Sequence, residues 1–275
     1  MGGKLGRDRG GTRARGQALV EATLTLPLLV LFGLGGLQLT ALAHARVMTR
    51  YAAFCAARAG VVHAAAWAPM RNAALVAALP LYRRTDTPAA LARTWAEVRA
   101  AAELGHQVDE GVATLGRLGE RLMGVDLSSV APDVGLVEVR VTSPTRADFD
   151  AWEDWVRERT AADPRLTYPS DGRELDFDDA AFAAAHPGAS RLAVEVRVLY
   201  PLRFPFVSRL VFEAWLAQAA LTLEPKWQLE LVLLRELARR AGVYLVPLTA
   251  SWAMVMQSNS YRASLREPTW TDAAR

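Results

Sequence analysis

The feature that most constrains this chain is an uninterrupted apolar run near its N-terminus. No charged side chain occurs from Ala22 to Ala43. About 22 residues at 1.5 Å each give a helix of roughly 33 Å, which is enough to cross the hydrocarbon core of a bilayer. The run therefore predicts one transmembrane helix. Pro27 lies one turn inside it, where a proline loosens or kinks the hydrogen-bond ladder but is tolerated in membrane helices.

The charge distribution predicts an orientation for this helix. The first sixteen residues hold five basic side chains and Asp8, and the net charge of +3 less the +4 of this segment leaves −1 for the rest of the chain. A basic surface for nucleic acid is therefore not indicated, and we expect no nucleic-acid partner. Basic residues ahead of the span favour a cytoplasmic N-terminus and a periplasmic C-terminal domain, although Arg46 and Arg50 follow the span closely. The expected location is the bacterial inner membrane, crossed once.

A carboxylate stands at the mouth of the apolar run. Glu21 lies directly before it, and an ionised carboxylate within the membrane costs about 2.5–3.5 kcal/mol on insertion scales. Such a residue indicates a functional charge. The alternative is an interfacial acid that is favoured only by the dipole at the helix N-terminus.

The residues around this carboxylate resemble a known family. Gly16 is followed by Gln17-Ala18-Leu19-Val20-Glu21, then by the apolar run, and then by Ala- and Arg-rich sequence at 51–60. Over about residues 13–60 the chain resembles the TadE-like pseudopilins, minor subunits of tight adherence (Tad or Flp) pili, a branch of type IV pili. One departure is Ala22, because an aromatic residue commonly follows the glutamate in these pilins.

The resemblance implies a processing site and an assembly role. A prepilin peptidase would cut between Gly16 and Gln17, where the absence of a side chain on glycine admits an extended backbone. The freed amine of Gln17 would pair with Glu21 of the same or a neighbouring subunit and set the register of assembly. The implied partners are the prepilin peptidase, the other Tad minor pilins and the major pilin. The implied function is assembly of a Tad/Flp pilus or a related secretion apparatus, with the chain associated with the pilus at the cell surface as a further expectation.

Two alternatives remain open at this stage. Ala41-Leu42-Ala43 matches the pattern that signal peptidase cuts, so cleavage after Ala43 would release a secreted protein. The chain could also be a bitopic or secreted envelope protein that binds a partner without entering a filament. The single cysteine, Cys55, excludes an internal disulfide and is expected to be a buried small thiol.

The rest of the chain predicts an α+β domain. We expect a leader at 1–16, a span and helical stem at 17–66, and an extracytoplasmic domain at 67–275. Alternating apolar residues predict three strands that form a small antiparallel sheet over the stem: Leu136–Thr142, Leu192–Tyr200 and Val243–Gln257. The third should place Leu248, Ala250, Trp252, Met254 and Met256 on one side. Helices are predicted at Pro88–Met123, Ala147–Ala162 and Phe206–Ala241.

The sequence contains no familiar catalytic motif, and its four histidines lack ligand spacing. We therefore expect no enzyme activity, no cofactor and no metal. The densest acidic cluster, Glu174 to Asp179, admits two interpretations. It is either a solvated loop that caps a helix at Phe177–Ala185 or a calcium site. The tryptophans expected in the core are Trp152, Trp155, Trp215, Trp227 and Trp252.

Overall fold

The computed structural model describes residues 10–104, 136–163, 174–176, 178–204, 206–222, 231, 234–235, 238–239 and 242–264, with side chains from residue 19 onward except at 98, 100–104, 220, 222 and 264. The helices are α1 Gly10–Val62, α2 Trp67–Tyr82, α3 Pro88–Leu104, α4 Arg146–Ala162, α5 Ala180–Ala185 and α6 Val207–Thr222. The strands are β1 Val137–Ser143, β2 Glu174–Leu175, β3 Arg191–Pro201, β4 Leu245–Val255 and β5 Ser260–Tyr261. A 3₁₀ turn spans Arg262–Ser264.

The α+β prediction is confirmed, with an antiparallel sheet in the order β1-β3-β4. In this sheet Val139 stands opposite Val196, which stands opposite Ala250. The register shifts between Val141 and Ser143, where β1 ends. A second, two-stranded ladder pairs β2 with β5.

One side of the sheet packs on the second half of α1 and on α2. Alternate residues of β3 and the small side chains of α1 share one core, which includes Ala52, Ala53, Ala56, Ala57, Leu192, Val194, Val196 and Val198. Alanines on α1 let the sheet approach the helix backbone closely. At Gly60 the approach is closer still, because an added Cβ would lie 2.6 Å from Met70 Sδ and would overlap the side chain of Leu192. The helix and the sheet are therefore parts of one core.

The side chain of Tyr82 fixes the end of α2 against the sheet. Its hydroxyl lies 2.8 Å from the Leu136 carbonyl oxygen and 3.0 Å from that of Leu199. Burial raises the pKa of Tyr82. On the other side of the sheet, the buried guanidinium of Arg197 lies 3.4 Å from the Glu138 carboxylate.

A smaller core joins α4, α5 and β2. Thr145 and Asp148 form a capping box at the start of α4, and Trp152 meets Phe182 edge-to-face at 4.9 Å between ring centroids. The 3₁₀ turn is held to α4 by Arg262, whose guanidinium is 2.8 Å from Glu153 and also bonds Asp150.

The structure corrects three predicted boundaries. The stem does not run to Ala66, because α1 ends at Val62 and the chain turns through Ala64 and Ala65 at φ of 54° and 57° into α2. The short helix at the acidic cluster begins at Ala180 rather than at Phe177. The strand predicted from Val243 covers only Leu245–Val255, and Met256 follows it.

The other predicted elements agree with the structure where it describes them. Helices α3 and α4 begin at Pro88 and Arg146, and α6 begins at Val207. Residues 105–123 of the helix predicted to reach Met123 lie outside the described residues. So do residues 223–230, 232–233, 236–237 and 240–241 of the last predicted helix. The division into 1–16, 17–66 and 67–275 remains a prediction.

Candidate functional site: helix α1 and the base of the domain

The first half of α1 is suited to an apolar environment. From Leu19 to Leu37 its side chains are exposed or half-buried, with the leucines largely uncovered. The hydroxyls in this region bond to their own helix, for example Thr25 Oγ1 to the Glu21 carbonyl oxygen at 2.8 Å and Thr40 Oγ1 to that of Gly36 at 2.9 Å. Helix α1 continues through Pro27. Length and composition make this helix a candidate membrane span.

The second half of α1 begins at a buried glutamine. Gln38 is 0% exposed, and its Oε1 accepts the backbone N–H groups of Arg203 and Phe204 at 3.3 and 3.2 Å. Its Nε2 has no hydrogen-bond partner among the described residues. Gln38 therefore joins α1 to the segment that leads from β3 into α6.

This junction defines the base of the domain. Leu202 N–H donates to the Tyr244 carbonyl at 2.9 Å, so β3 ends and β4 begins near Gln38. At the other end of the sheet, the Ser258 hydroxyl donates to the Val61 carbonyl at 2.9 Å. The sheet thus extends along α1 from about residue 38 to Val61. We call the end near Gln38, with residues 202–204 and 206–210 and the C-terminus of α2, the base.

A stripe of α1 beyond Gln38 is only partly covered by the sheet. Val47 and Tyr51 are exposed, and Phe54 is half-buried. The rings of Tyr51 and Phe54 stack at 6.3 Å, and Phe54 meets Trp252 edge-to-face at 5.6 Å. Trp252 remains 43% exposed. We call Val47, Tyr51, Phe54 and Trp252 the aromatic stripe.

Two residues at the aromatic stripe are less buried than the sequence predicted. Trp252 lies on the helix-facing side of β4, as the alternation predicted, but at the edge of the core rather than inside it. Cys55, expected to be buried, is a half-buried free thiol. Residues 47, 51, 54 and 58 recur at helical spacing, so the sequence contained the signal for this exposed side of α1.

The predicted processing and assembly residues lie at the start of α1. Gly16 and Gln17 are helical, and Glu21 is exposed. Cutting between Gly16 and Gln17 would require local unwinding, which glycine eases. In the uncut chain Gln17 has no free amine, so its pairing with Glu21 remains a prediction.

The acidic cluster is a capped loop in the described residues. Asp179 is the N-cap of α5, and its Oδ1 accepts the backbone N–H groups of Ala181 and Phe182 at 3.0 and 2.9 Å. Desolvation, together with hydrogen bonding to Asp178, raises the pKa of Asp176 to about 6. Glu174 accepts the side-chain amide of Asn259 at 2.8 Å. Among the residues that the structure describes, no three histidine, cysteine or carboxylate side chains are grouped to hold a metal.

A basic cleft at the base was not found by sequence reasoning. It has a volume of about 750 Å³, and its charged lining residues are Arg83, Arg84, Asp86, Arg93 and Arg203. The Arg203 guanidinium donates to the Leu81 carbonyl, which places the cleft beside Gln38. The arginines come from the loop after α2, from α3 and from the segment after β3, so only their adjacent pair at 83–84 was visible in the sequence.

The predicted core tryptophans have different environments. Trp152 is buried, Trp155 is half-buried, and Trp215 is half-buried against the main core. Trp227 lies outside the described residues.

Comparison with known proteins assigns a family to one segment. Residues 16–58 match the model of the TadE family, described as TadE-like protein. No curated protein and no solved structure matches the chain. The matched residues begin at Gly16, include the exposed half of α1 and end beside the aromatic stripe. From Gly16 to Arg58, therefore, this protein carries a TadE-like segment, which connects it with the proteins of Tad pili.

Proposed function

We propose that this protein is a non-catalytic, membrane-anchored minor pilin-like subunit for assembly of a Tad/Flp pilus or a related secretion apparatus. In this proposal α1 crosses the inner membrane once, with residues 1–16 in the cytoplasm and the domain in the periplasm. The prepilin peptidase removes residues 1–16, and the major pilin and other Tad minor pilins are the assembly partners.

The aromatic stripe is the observation that carries the proposal. It continues the exposed surface of the span beyond Gln38, so α1 presents exposed apolar side chains both within the span and beyond it, with the exposed Thr40 and His44 between Leu37 and Val47. Contiguous exposed aromatic residues are typical of protein interaction sites. A second helical subunit with its own membrane span could pack along this whole length.

The packing of α1 favours an anchored over a secreted protein. A cut after Ala43 would remove Gln38 and leave the backbone N–H groups of Arg203 and Phe204 without their acceptor. Leaving buried donors unpaired costs about 1–3 kcal/mol. A cut after Gly16 leaves every described contact of the domain in place.

Processing gives the first test. The protein isolated from its native membrane should begin at Gln17, and Gly16→Val should accumulate as full-length protein. An N-terminus at His44 would establish secretion by signal peptidase. A chain that keeps residues 1–16 would show that they are not a cleaved leader.

Cross-linking gives the second test. A photo-reactive phenylalanine at Tyr51 should capture the major pilin or a companion minor pilin in the membrane, while the same group at the exposed Tyr261 on β5 is the control. Glu21→Gln should leave cleavage intact but abolish the cross-link from position 51. A cross-link that survives this change would remove the counter-ion role of Glu21. If position 51 captured pilins no more than position 261, the bitopic envelope protein would be the better description.

A further inference from the structure

The base of the domain carries an apolar surface that its own core does not use. Phe206 is 81% exposed and Leu210 is 56% exposed. At the other end of α6, Leu221 is 87% exposed. Positions 206, 210, 214, 217 and 221 follow helical spacing, and Ala214 and Ala217 are exposed between the larger side chains. Helix α6 thus has an exposed apolar stripe of Leu210, Ala214, Ala217 and Leu221, with Phe206 just before the helix and the exposed Glu213 beside the stripe.

The packed side of α6 fixes this stripe at the base. Ser208 N–H donates to the Phe204 carbonyl at 3.0 Å, and the backbone N–H of Phe204 bonds Gln38. Two turns later, the ring of Phe212 lies 5.4 Å from that of Tyr244, just before β4. Both contacts lie at the end of the sheet nearest Gln38. The N-terminal half of α6 therefore runs along the base.

The length of the exposed part of α1 places a membrane surface at the same level. Leu19 to Leu37 is about 19 residues or roughly 28 Å of helix, which matches the hydrocarbon thickness of a bilayer. The next residue, Gln38, already contacts the base. The surface of a bilayer that surrounds the exposed half of α1 therefore lies at the level of Phe206 and Leu210.

The charges at the base are those that lipid headgroups attract. The cleft holds four arginines and Asp86, which pairs with Arg84 at 3.0 Å. Arg83 lies 3.7 Å from Glu97. The ion pairs of the described residues include none to Arg93 or Arg203. On α6, Arg209 and Glu213 are both exposed. Arginine beside exposed phenylalanine and leucine is typical of helices that lie in a membrane interface.

We propose that the base docks on the membrane that α1 crosses, on the leaflet that faces the domain. Phe206 and Leu210 enter the boundary between headgroups and acyl chains, and Arg93 and Arg203 hold the phosphates of anionic phospholipids. The domain then rests on the bilayer surface by its base. The sheet extends along α1 away from the membrane, and the aromatic stripe remains accessible to a neighbouring subunit. This inference shares with the proposed function only the insertion of α1.

The test measures the depth of three positions in the full-length chain. In a Cys55→Ser background, Leu29→Cys, Leu210→Cys and Val255→Cys each receive one polarity-sensitive fluorophore. The protein is inserted into vesicles of phosphatidylcholine and phosphatidylglycerol that contain brominated lipids as quenchers. Position 29 reports insertion of α1, position 210 reports the base, and position 255 is an exposed apolar control at the far end of β4.

Docking predicts quenching at positions 29 and 210 and none at position 255. Quenching at 29 without quenching at 210 would overturn this inference while the membrane anchor stands. Absence of quenching at all three positions would overturn the inference and the anchor together.

Charge reversal tests the headgroup contact. Arg93→Glu should lower the docked-to-undocked ratio at position 210 by about fivefold or more in vesicles that contain phosphatidylglycerol, because each arginine near an anionic surface contributes about 1 kcal/mol. Arg191→Glu, at the far end of β3, should leave that ratio unchanged. The proposal would be overturned by two results together: saturable binding of inorganic phosphate by the detergent-solubilised protein, and quenching at position 210 that does not depend on phosphatidylglycerol. The cleft would then be a site for a soluble anion.

Discussion

The two halves of α1 belong to the same continuous helix, but they differ in composition and in what surrounds them. Before Gln38 the leucines are exposed, and after it the alanines are buried against α2 and the sheet. The difference lies in side-chain size and spacing. Leucines all round the helix suit a uniform apolar solvent, whereas alanines on one side allow the backbone of another element to approach.

The largest test of this comparison introduces a charge into each half. Ala53→Glu buries a carboxylate after Gln38 in a position that is 0% exposed, whereas Ala22→Glu adds the same group at an exposed position before Gln38. An unpaired buried charge should destabilise the domain by at least about 3 kcal/mol. Thermal unfolding of the detergent-solubilised protein, followed by near-UV circular dichroism, should show a lower Tm for Ala53→Glu alone. Equal loss for both variants would mean that the two halves do not differ in burial.

A smaller test compares two glycines of the same helix. Gly60→Ala adds a methyl group that overlaps Met70 and Leu192, whereas Gly36→Ala meets no atom within 4 Å. Overpacking should cost about 1–3 kcal/mol at position 60. At position 36 the helix should become more stable, by up to about 1 kcal/mol. Denaturant unfolding midpoints of the two variants measure the difference, and a neutral Gly60→Ala would contradict the close contact between α1 and the sheet.

The smallest expected effect lies at the junction of the two halves. Gln38→Leu removes the acceptor for the backbone N–H groups of Arg203 and Phe204, at a cost of about 1–2 kcal/mol. The control is Thr40→Val, because the Thr40 hydroxyl bonds only within α1. Hydrogen exchange should accelerate in the peptide that contains residues 203 and 204 for Gln38→Leu. Unchanged exchange there would show that Gln38 does not hold the base to α1.

Regular patterns made part of this structure predictable. The alternation of Val137, Val139 and Val141 identified a strand with one buried side, and the structure places those valines opposite Val198, Val196 and Val194. The apolar run identified α1. The end of α1 was not predictable, because Ala64 and Ala65 are ordinary helix formers that here adopt left-handed backbone angles, which alanine favours little.

The residues of the candidate site also fall into those that the sequence suggested and those that only the structure revealed. Gly16, Gln17 and Glu21 could be proposed from the sequence because their signal is local, a glycine and a carboxylate at a fixed distance before an apolar run, and their roles remain predictions. The basic cleft was missed, because Arg93 and Arg203 are 110 positions apart in the chain and only the packing of α2, α3 and β3 brings them together.

The sequence by itself determined that an apolar helix leads into an α+β domain, because hydrophobic length and periodicity are properties of neighbouring residues. Only the tertiary structure decided where along that helix the domain begins. Gln38 reads as one polar residue within an apolar run, yet its amide accepts two backbone N–H groups from residues 165 and 166 positions further along the chain. A hydrogen bond between such distant segments exists only after the sheet has folded onto α1. The division of the helix into an exposed and a packed half is therefore a property of the fold.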